Sequence, residues 1–189
     1  MRCMLCERLS LSHLCIPCQE SYLTPSLHTK TIASHVKVHA FYNYSDIEAL
    51  LHTKHTPLGF YMYSILAHLA FKTFAENFVW EMPVASLSID DHTRSGYSHT
   101  AILNRALHSK TIQPYYGKMR AQNRVSYSGK SHAFRLNNPR DFTFLHVNEQ
   151  QIILVDDIVT TGTTLSEAAH CIYKAEKEVL FCLALADVK

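Results

Sequence analysis

The stretch Gln151-Ile-Ile-Leu-Val-Asp156-Asp157-Ile-Val-Thr160-Thr161-Gly162-Thr163-Thr164-Leu165 decides how the rest of the chain is read. An apolar run of strand length ends in two adjacent carboxylates, then comes a loop of threonines around one glycine, then a helical pattern from Leu165. That order predicts a strand, a loop and a helix start. In an open α/β sheet ligands bind beyond the carboxyl ends of the strands, so everything after Val155 falls where a ligand would sit.

The atoms available there narrow the ligand. Thr160, Thr161, Thr163 and Thr164 supply hydroxyls, Gly162 lets the backbone bend and approach closely, and the helix that follows points its unpaired N–H groups at the same volume. A phosphate monoester fits that cradle. Ionised Asp156 and Asp157 only accept hydrogen bonds, so they suit sugar hydroxyls or a magnesium shell rather than the phosphate itself. Together the segment describes a cradle for a ribose 5-phosphate. Successive strand residues face opposite ways, so both carboxylates reach one ligand only if the strand ends at about Asp157. The plainer alternative is a strand–turn–helix with a capping threonine, which needs a single hydroxyl and leaves the aspartate pair unexplained.

Working outward, Leu165, Ala168, Ala169 and Ile172 form one helical face and Val179 to Leu185 reads as a further buried strand. Strand, helix, strand implies a right-handed crossover and a parallel sheet, hence an α/β fold. Upstream, Val36, Val38, Ala40, Tyr42 and Tyr44 alternate as a strand should. Ser45 to Glu48 has capping-box spacing, Pro57-Leu-Gly59 introduces a longer helix, and Phe78 to Val84 reads as another core strand with Pro83 near its end. Asp90-Asp91-His92-Thr93 leads into a helix carrying Ile102, Leu103, Ala106 and Leu107.

At the amino end, Cys3, Cys6, Cys15 and Cys18 form two CxxC knuckles. Tetrahedral zinc takes four thiolates, and paired knuckles supply them two at a time. Such a short segment cannot build its own core, whereas structural zinc contributes about 10–16 kcal/mol to the folding of modules of this kind. Two disulfides are the alternative and require an oxidising compartment, for which nothing in the chain argues. The zinc would be structural, since four thiolates leave no open position. Residues 19 to 35 are polar, so the expected division is a zinc module with its connector at 1–30 and a main domain at 31–189.

Charge is unevenly spread. Arg94, Arg105, Lys110, Lys118, Arg120, Arg124, Lys130, Arg135 and Arg140 fall in a run without one acidic residue, and they are half of the chain's 18 lysines and arginines. Tyr97, Tyr115, Tyr116, Tyr127 and Phe134 are interleaved with them. Basic residues with aromatics suit a groove for single-stranded nucleic acid, where phosphates are neutralised and bases stack; the same charges would also close over a pyrophosphate. The chain has 189 residues and is 47% hydrophobic, enough for one domain with a sizeable core. It lacks an apolar run of membrane-spanning length and a signal-peptide pattern at Met1, so a cytoplasmic location is expected.

Ile152 to Thr164 resembles the phosphoribosyl pyrophosphate motif of type I phosphoribosyltransferases. That resemblance implies Asp156 and Asp157 on the ribose 2′ and 3′ hydroxyls, Thr160 to Thr164 on the 5-phosphate, and magnesium on the pyrophosphate. With the four-cysteine knuckles in front, the chain from Cys3 to Ala186 is similar to the ComF family, associated with DNA uptake in natural competence. The resemblance implies a type I phosphoribosyltransferase-like parallel sheet flanked by helices, with a small zinc module. It also implies single-stranded DNA and a DNA-translocating helicase as partners at the inner face of the cytoplasmic membrane. Met82-Pro83-Val84-Ala85 matches the family's Pro-Val-Pro-Leu stretch and would be the pyrophosphate loop. Ser95-Gly96-Tyr97-Ser98-His99 stands where the family has Arg-Gly-Phe-Asn-Gln, with Arg94 one position before it. Arg94, Lys118, Arg120 and Arg124 are the cations expected over pyrophosphate or DNA. An active transferase that moves ribose 5-phosphate to a nucleobase is the alternative function.

Overall fold

The structure is a computed structural model and describes residues 1–89, 96–123, 134 and 137–188. At its centre is a six-stranded sheet made of β1 (His28–Thr31), β2 (Lys37–Asn43), β3 (Val84–Ser88), β4 (Ile112–Tyr115), β7 (Gln151–Val159) and β8 (Glu178–Asp187). Their order across the sheet is β1-β2-β8-β7-β3-β4. Only β1 runs antiparallel, to β2; the other four pairings are parallel. A separate two-stranded ribbon is formed by β5 (Met119–Ala121) and β6 (Phe142–Phe144).

Both faces of the sheet are covered, which is why its central strands are apolar without strict alternation. One face carries α1 (Ile16–Tyr22), α2 (Tyr44–Leu51), α3 (Pro57–Leu66) and α5 (His99–Ala106). Helix α3 continues through a π-helical stretch, Ala67–Lys72, into α4 (Thr73–Asn77). Ile153, Val155, Leu183 and Leu185 pack there against Met62, Tyr63, Leu66, Phe71 and Leu103. On the opposite face α6 (Thr163–Lys174) lays Leu165, Ala168, Ala169 and Ile172 over Ile152, Leu154, Cys182 and Ala184. The alanines let helix and sheet approach closely.

Several expected elements differ from those found. Phe78 to Pro83 forms no strand, and Val79, Trp80 and Met82 are exposed. The ladder begins only after Pro83, whose missing N–H cannot serve a central strand. The strand found, Val-Ala-Ser-Leu-Ser, is wholly buried but rich in small residues, so its composition does not announce it. Helix α2 starts at Tyr44 rather than after Ser45, and its cap position, Asn43, makes no side-chain capping bond. The expected boundary at residue 30 falls inside β1, which is hydrogen-bonded to β2. Cys3, Leu14, Cys18 and Leu23 join the core beneath α2 and α3, and His13 stacks on Tyr61 at 4.3 Å.

Candidate functional site

Strands β3 and β7 are neighbours whose connections leave on opposite faces, α5 after β3 and α6 after β7. Such a switch point opens a crevice at the carboxyl ends of the two strands. Asp156, Asp157 and the threonine loop lie on the β7 side of that crevice. His99, the first residue of α5, comes from the β3 side.

The phosphate-sized loop is built by its glycine. Gly162 occupies the amino-terminal cap position of α6 in a left-handed conformation, φ +77°, and no side chain caps the helix. A Cβ at this position would meet Ile32 Cγ2 at 2.3 Å. The capping-threonine alternative is therefore not what the chain adopts, and the first helical N–H groups face outward unclaimed by a side-chain cap. Thr161 and Thr163 bring their hydroxyls within 2.9 Å of each other. Lys30, on β1, fixes the loop's entrance: its ammonium donates to the Thr160 carbonyl at 2.8 Å and pairs with Asp187 at the end of β8.

The two aspartates have different surroundings. Strand β7 continues through Val159 instead of ending near Asp157, with Ile153 and Val155 on the α3–α5 face and Ile152 and Leu154 on the α6 face. Asp156 and Asp157 thus begin on opposite faces. Each carboxylate curls forward to accept the next residue's N–H, Asp157 N–H at 2.8 Å and Ile158 N–H at 2.9 Å. Asp157 then turns beneath the helical layer, where its Oδ2 receives Lys54 Nζ at 3.1 Å and the Tyr63 hydroxyl at 3.4 Å. His99 Nε2 lies 3.2 Å from the same oxygen, a close approach rather than an aligned hydrogen bond. Burial alone would raise the Asp157 carboxyl; the His99 contact and the Lys54 charge outweigh it and hold the group well below the usual carboxylate range. Burial, reinforced by the Asp157 charge, pushes the Tyr63 phenol far up, so it stays a donor.

Lys54 sits in a single 3-10 turn, His52–His55, that other residues lock. The Tyr97 hydroxyl donates to the carbonyls of Lys54 at 2.6 Å and Thr56 at 3.1 Å. A Cβ on Gly59 would collide with the Thr53 carbonyl oxygen at 2.2 Å and the Tyr97 hydroxyl at 2.3 Å, so only glycine lets α3 close on the turn.

Lys118 follows the carboxyl end of β4, the same end of the sheet as the threonine loop, and Arg120 is exposed on β5 with its Nε on the Gly117 carbonyl at 2.8 Å. Arg94 and Arg124 lie outside the described residues. Met82 to Ala85, expected as a pyrophosphate loop, lie before and at the amino end of β3, the far end of the sheet. A groove of about 540 Å³ lined by Val79, Trp80, Met82 and Gln151 also lies at that far end.

The four cysteine sulfurs of the amino-terminal knuckles lie within 4.8 Å of one another, Cys6 and Cys15 at 3.6 Å. Tetrahedral zinc at about 2.3 Å from each sulfur needs S···S separations of about 3.8 Å, so the set fits such an ion with little movement. The Cys15 N–H donates to Cys3 Sγ at 3.3 Å and holds that thiol down to about 6, whereas burial and the neighbouring sulfurs push Cys18 up to about 12.

Lys54, Tyr63, Lys30 and Asp187 carry no sign in the sequence that marks them as site residues, whereas His99 ends the segment set beside the family's Arg-Gly-Phe-Asn-Gln. Lys54 and Asp157 stand 103 positions apart, and a lysine in a polar turn gives no local hint of a distant carboxylate. No protein-family model matches the chain, and no curated protein matches it. Among the described residues no helix is long and apolar enough to cross a membrane.

Proposed function

We propose that the chain binds phosphoribosyl pyrophosphate, with magnesium, in the crevice between β3 and β7 and that it serves the handling of single-stranded DNA during DNA uptake. The observation that carries the pocket is the Gly162 cap. A glycine-capped helix start, without a side-chain cap and flanked by the Thr161 and Thr163 hydroxyls, stands close in sequence to two buried aspartates at a switch point. In this reading the 5-phosphate takes the helix N–H groups and the threonines, and the ribose hydroxyls face Asp156 and Asp157. Magnesium would neutralise the pyrophosphate, and zinc would hold the four-cysteine module. The acid-free basic run, with Lys118 at the crevice end of the sheet, supports the DNA role.

Equilibrium binding of phosphoribosyl pyrophosphate in magnesium buffer tests the pocket. Wild type is expected to bind, and Thr161→Val/Thr163→Val to bind at least about tenfold more weakly with unchanged thermal stability, as when hydrogen bonds to a charged group are removed; equal affinity would remove the loop from the site. A second reading, transfer of ribose 5-phosphate to a nucleobase, needs no nucleophilic side chain, because the charge developing at C1 is stabilised by positioning and by the clamped pyrophosphate. Release of pyrophosphate with any nucleobase would favour it.

A further inference from the structure

Strand β1 and the turn after it grip the threonine loop at three successive points. The Lys30 ammonium donates to the Thr160 carbonyl at 2.8 Å, where the loop begins. Ile32 lies against Gly162 at the helix cap. The Ala33 carbonyl accepts from the Ser166 hydroxyl at 3.2 Å, in the first turn of α6. Among these contacts only that of Lys30 brings a charge and engages a carbonyl of the loop. A peptide unit is planar and trans, so its carbonyl and its N–H point opposite ways. With the Thr160 carbonyl turned to Lys30, the Thr161 N–H of the same unit points away from it. Released from the ammonium, the unit would be free to rotate and to offer an anion its oxygen in place of its N–H.

The same ammonium pairs with Asp187, the last residue of β8; the two side chains are 28% and 10% exposed. As a unit the pair is formally neutral, so little of the lysine's charge reaches an anion on the loop. We infer that Lys30 is a positioning residue for the anion loop, fixing the Thr160–Thr161 peptide through its carbonyl, and that Asp187 holds Lys30 in place while masking its charge. The two halves of the pair then have effects of different sign on anion binding. Removing the Asp187 charge alone leaves Lys30 on the Thr160 carbonyl and unmasks it, which favours the anion. Removing Lys30 as well frees the peptide and disfavours the anion. A pair that merely stapled β1 to the end of β8 would show no such difference.

This inference rests on the proposed pocket, and a set of variants separates the two. Phosphoribosyl pyrophosphate and ribose 5-phosphate are each titrated, with magnesium, into wild type, Asp187→Asn and Lys30→Met/Asp187→Asn. The double variant is used because Lys30→Met alone leaves a buried carboxylate unpaired and risks unfolding. Asparagine keeps an acceptor for Lys30, so Asp187→Asn is expected to bind both ligands as tightly as wild type or up to about tenfold more tightly. The double variant should bind both about tenfold more weakly than Asp187→Asn. The loss should be equal for the two ligands, because they share the 5-phosphate and Lys30 acts only on its loop. If Asp187→Asn loses as much affinity as the double variant, or if the double variant binds like Asp187→Asn, the inference is overturned and the pocket stands. Weakening confined to phosphoribosyl pyrophosphate has the same meaning. Wild type binding neither ligand would overturn the pocket and the inference together.

Discussion

Asp157 is a structural anchor, and in the proposed pocket it would also be a ligand group. Its carboxylate ties the end of β7 to the 52–55 turn, α3 and α5, and removing one member of a buried pair costs about 3–5 kcal/mol. Because Lys54 is partly exposed, Asp157→Asn is expected near the low end, about 3 kcal/mol, in urea unfolding at pH 7. The folded carboxyl lies below its unfolded value of about 3.9, so its contribution is complete above about pH 5 and is lost as pH falls through the folded value. The gap between wild type and Asp157→Asn should therefore shrink below about pH 4; a gap independent of pH would contradict the ion pair. Gly162 makes an equally local demand. With φ at +77° and Ile32 in contact, Gly162→Ala should cost about 2–4 kcal/mol from backbone strain and overpacking together. Ile32→Ala should relieve part of that cost in the double variant, since it removes the clashing atoms but not the strain.

At the scale of elements, the strand β7, its loop and α6 are legible in the sequence because each carries a local signature: branched apolar residues, a threonine–glycine loop, and apolar residues at helical spacing. Strand β3 is not, because Ala85, Ser86 and Ser88 are strand residues only by virtue of being buried between two layers. The pyrophosphate loop expected around Pro83 falls at the wrong end of that strand for the same reason. Of the candidate site, the two aspartates and the threonine loop stand out in the chain, but the side chains that meet Asp157 do not, because Lys54 and Tyr63 reach it only through the packing of the helical layer. The 52–55 turn depends on a single phenol. Tyr97→Phe removes the one hydroxyl proton shared between two carbonyls of that turn and should cost about 1 kcal/mol, with faster amide exchange confined to residues 52–59. Uniformly faster exchange would show that Tyr97 does not act locally.

For the molecule as a whole, the amino-terminal knuckles are not a pendant. Cys3, Leu14, Cys18 and Leu23 share a core with the helices over Asp157, and His13 lies on Tyr61. Stripping a bound metal with a chelator is therefore expected to lower the unfolding temperature of the entire chain in one transition, with metal analysis of purified protein near one zinc per chain. An unchanged transition, or folded protein containing no metal, would remove the zinc module. The basic segment also acts at this scale. Neutralising Lys118 and Arg120 should weaken single-stranded DNA binding and flatten its dependence on log salt by about 0.7 for each phosphate no longer neutralised. A salt-insensitive affinity would rule out an electrostatic groove.

The most direct test of the pocket is a crystal structure of the protein soaked with phosphoribosyl pyrophosphate and magnesium. The account predicts the 5-phosphate against the Gly162 cap with the Thr161 and Thr163 hydroxyls on its oxygens and the ribose diol on the aspartate pair. Ligand bound elsewhere, or a crevice without ligand at saturating concentration, would contradict it.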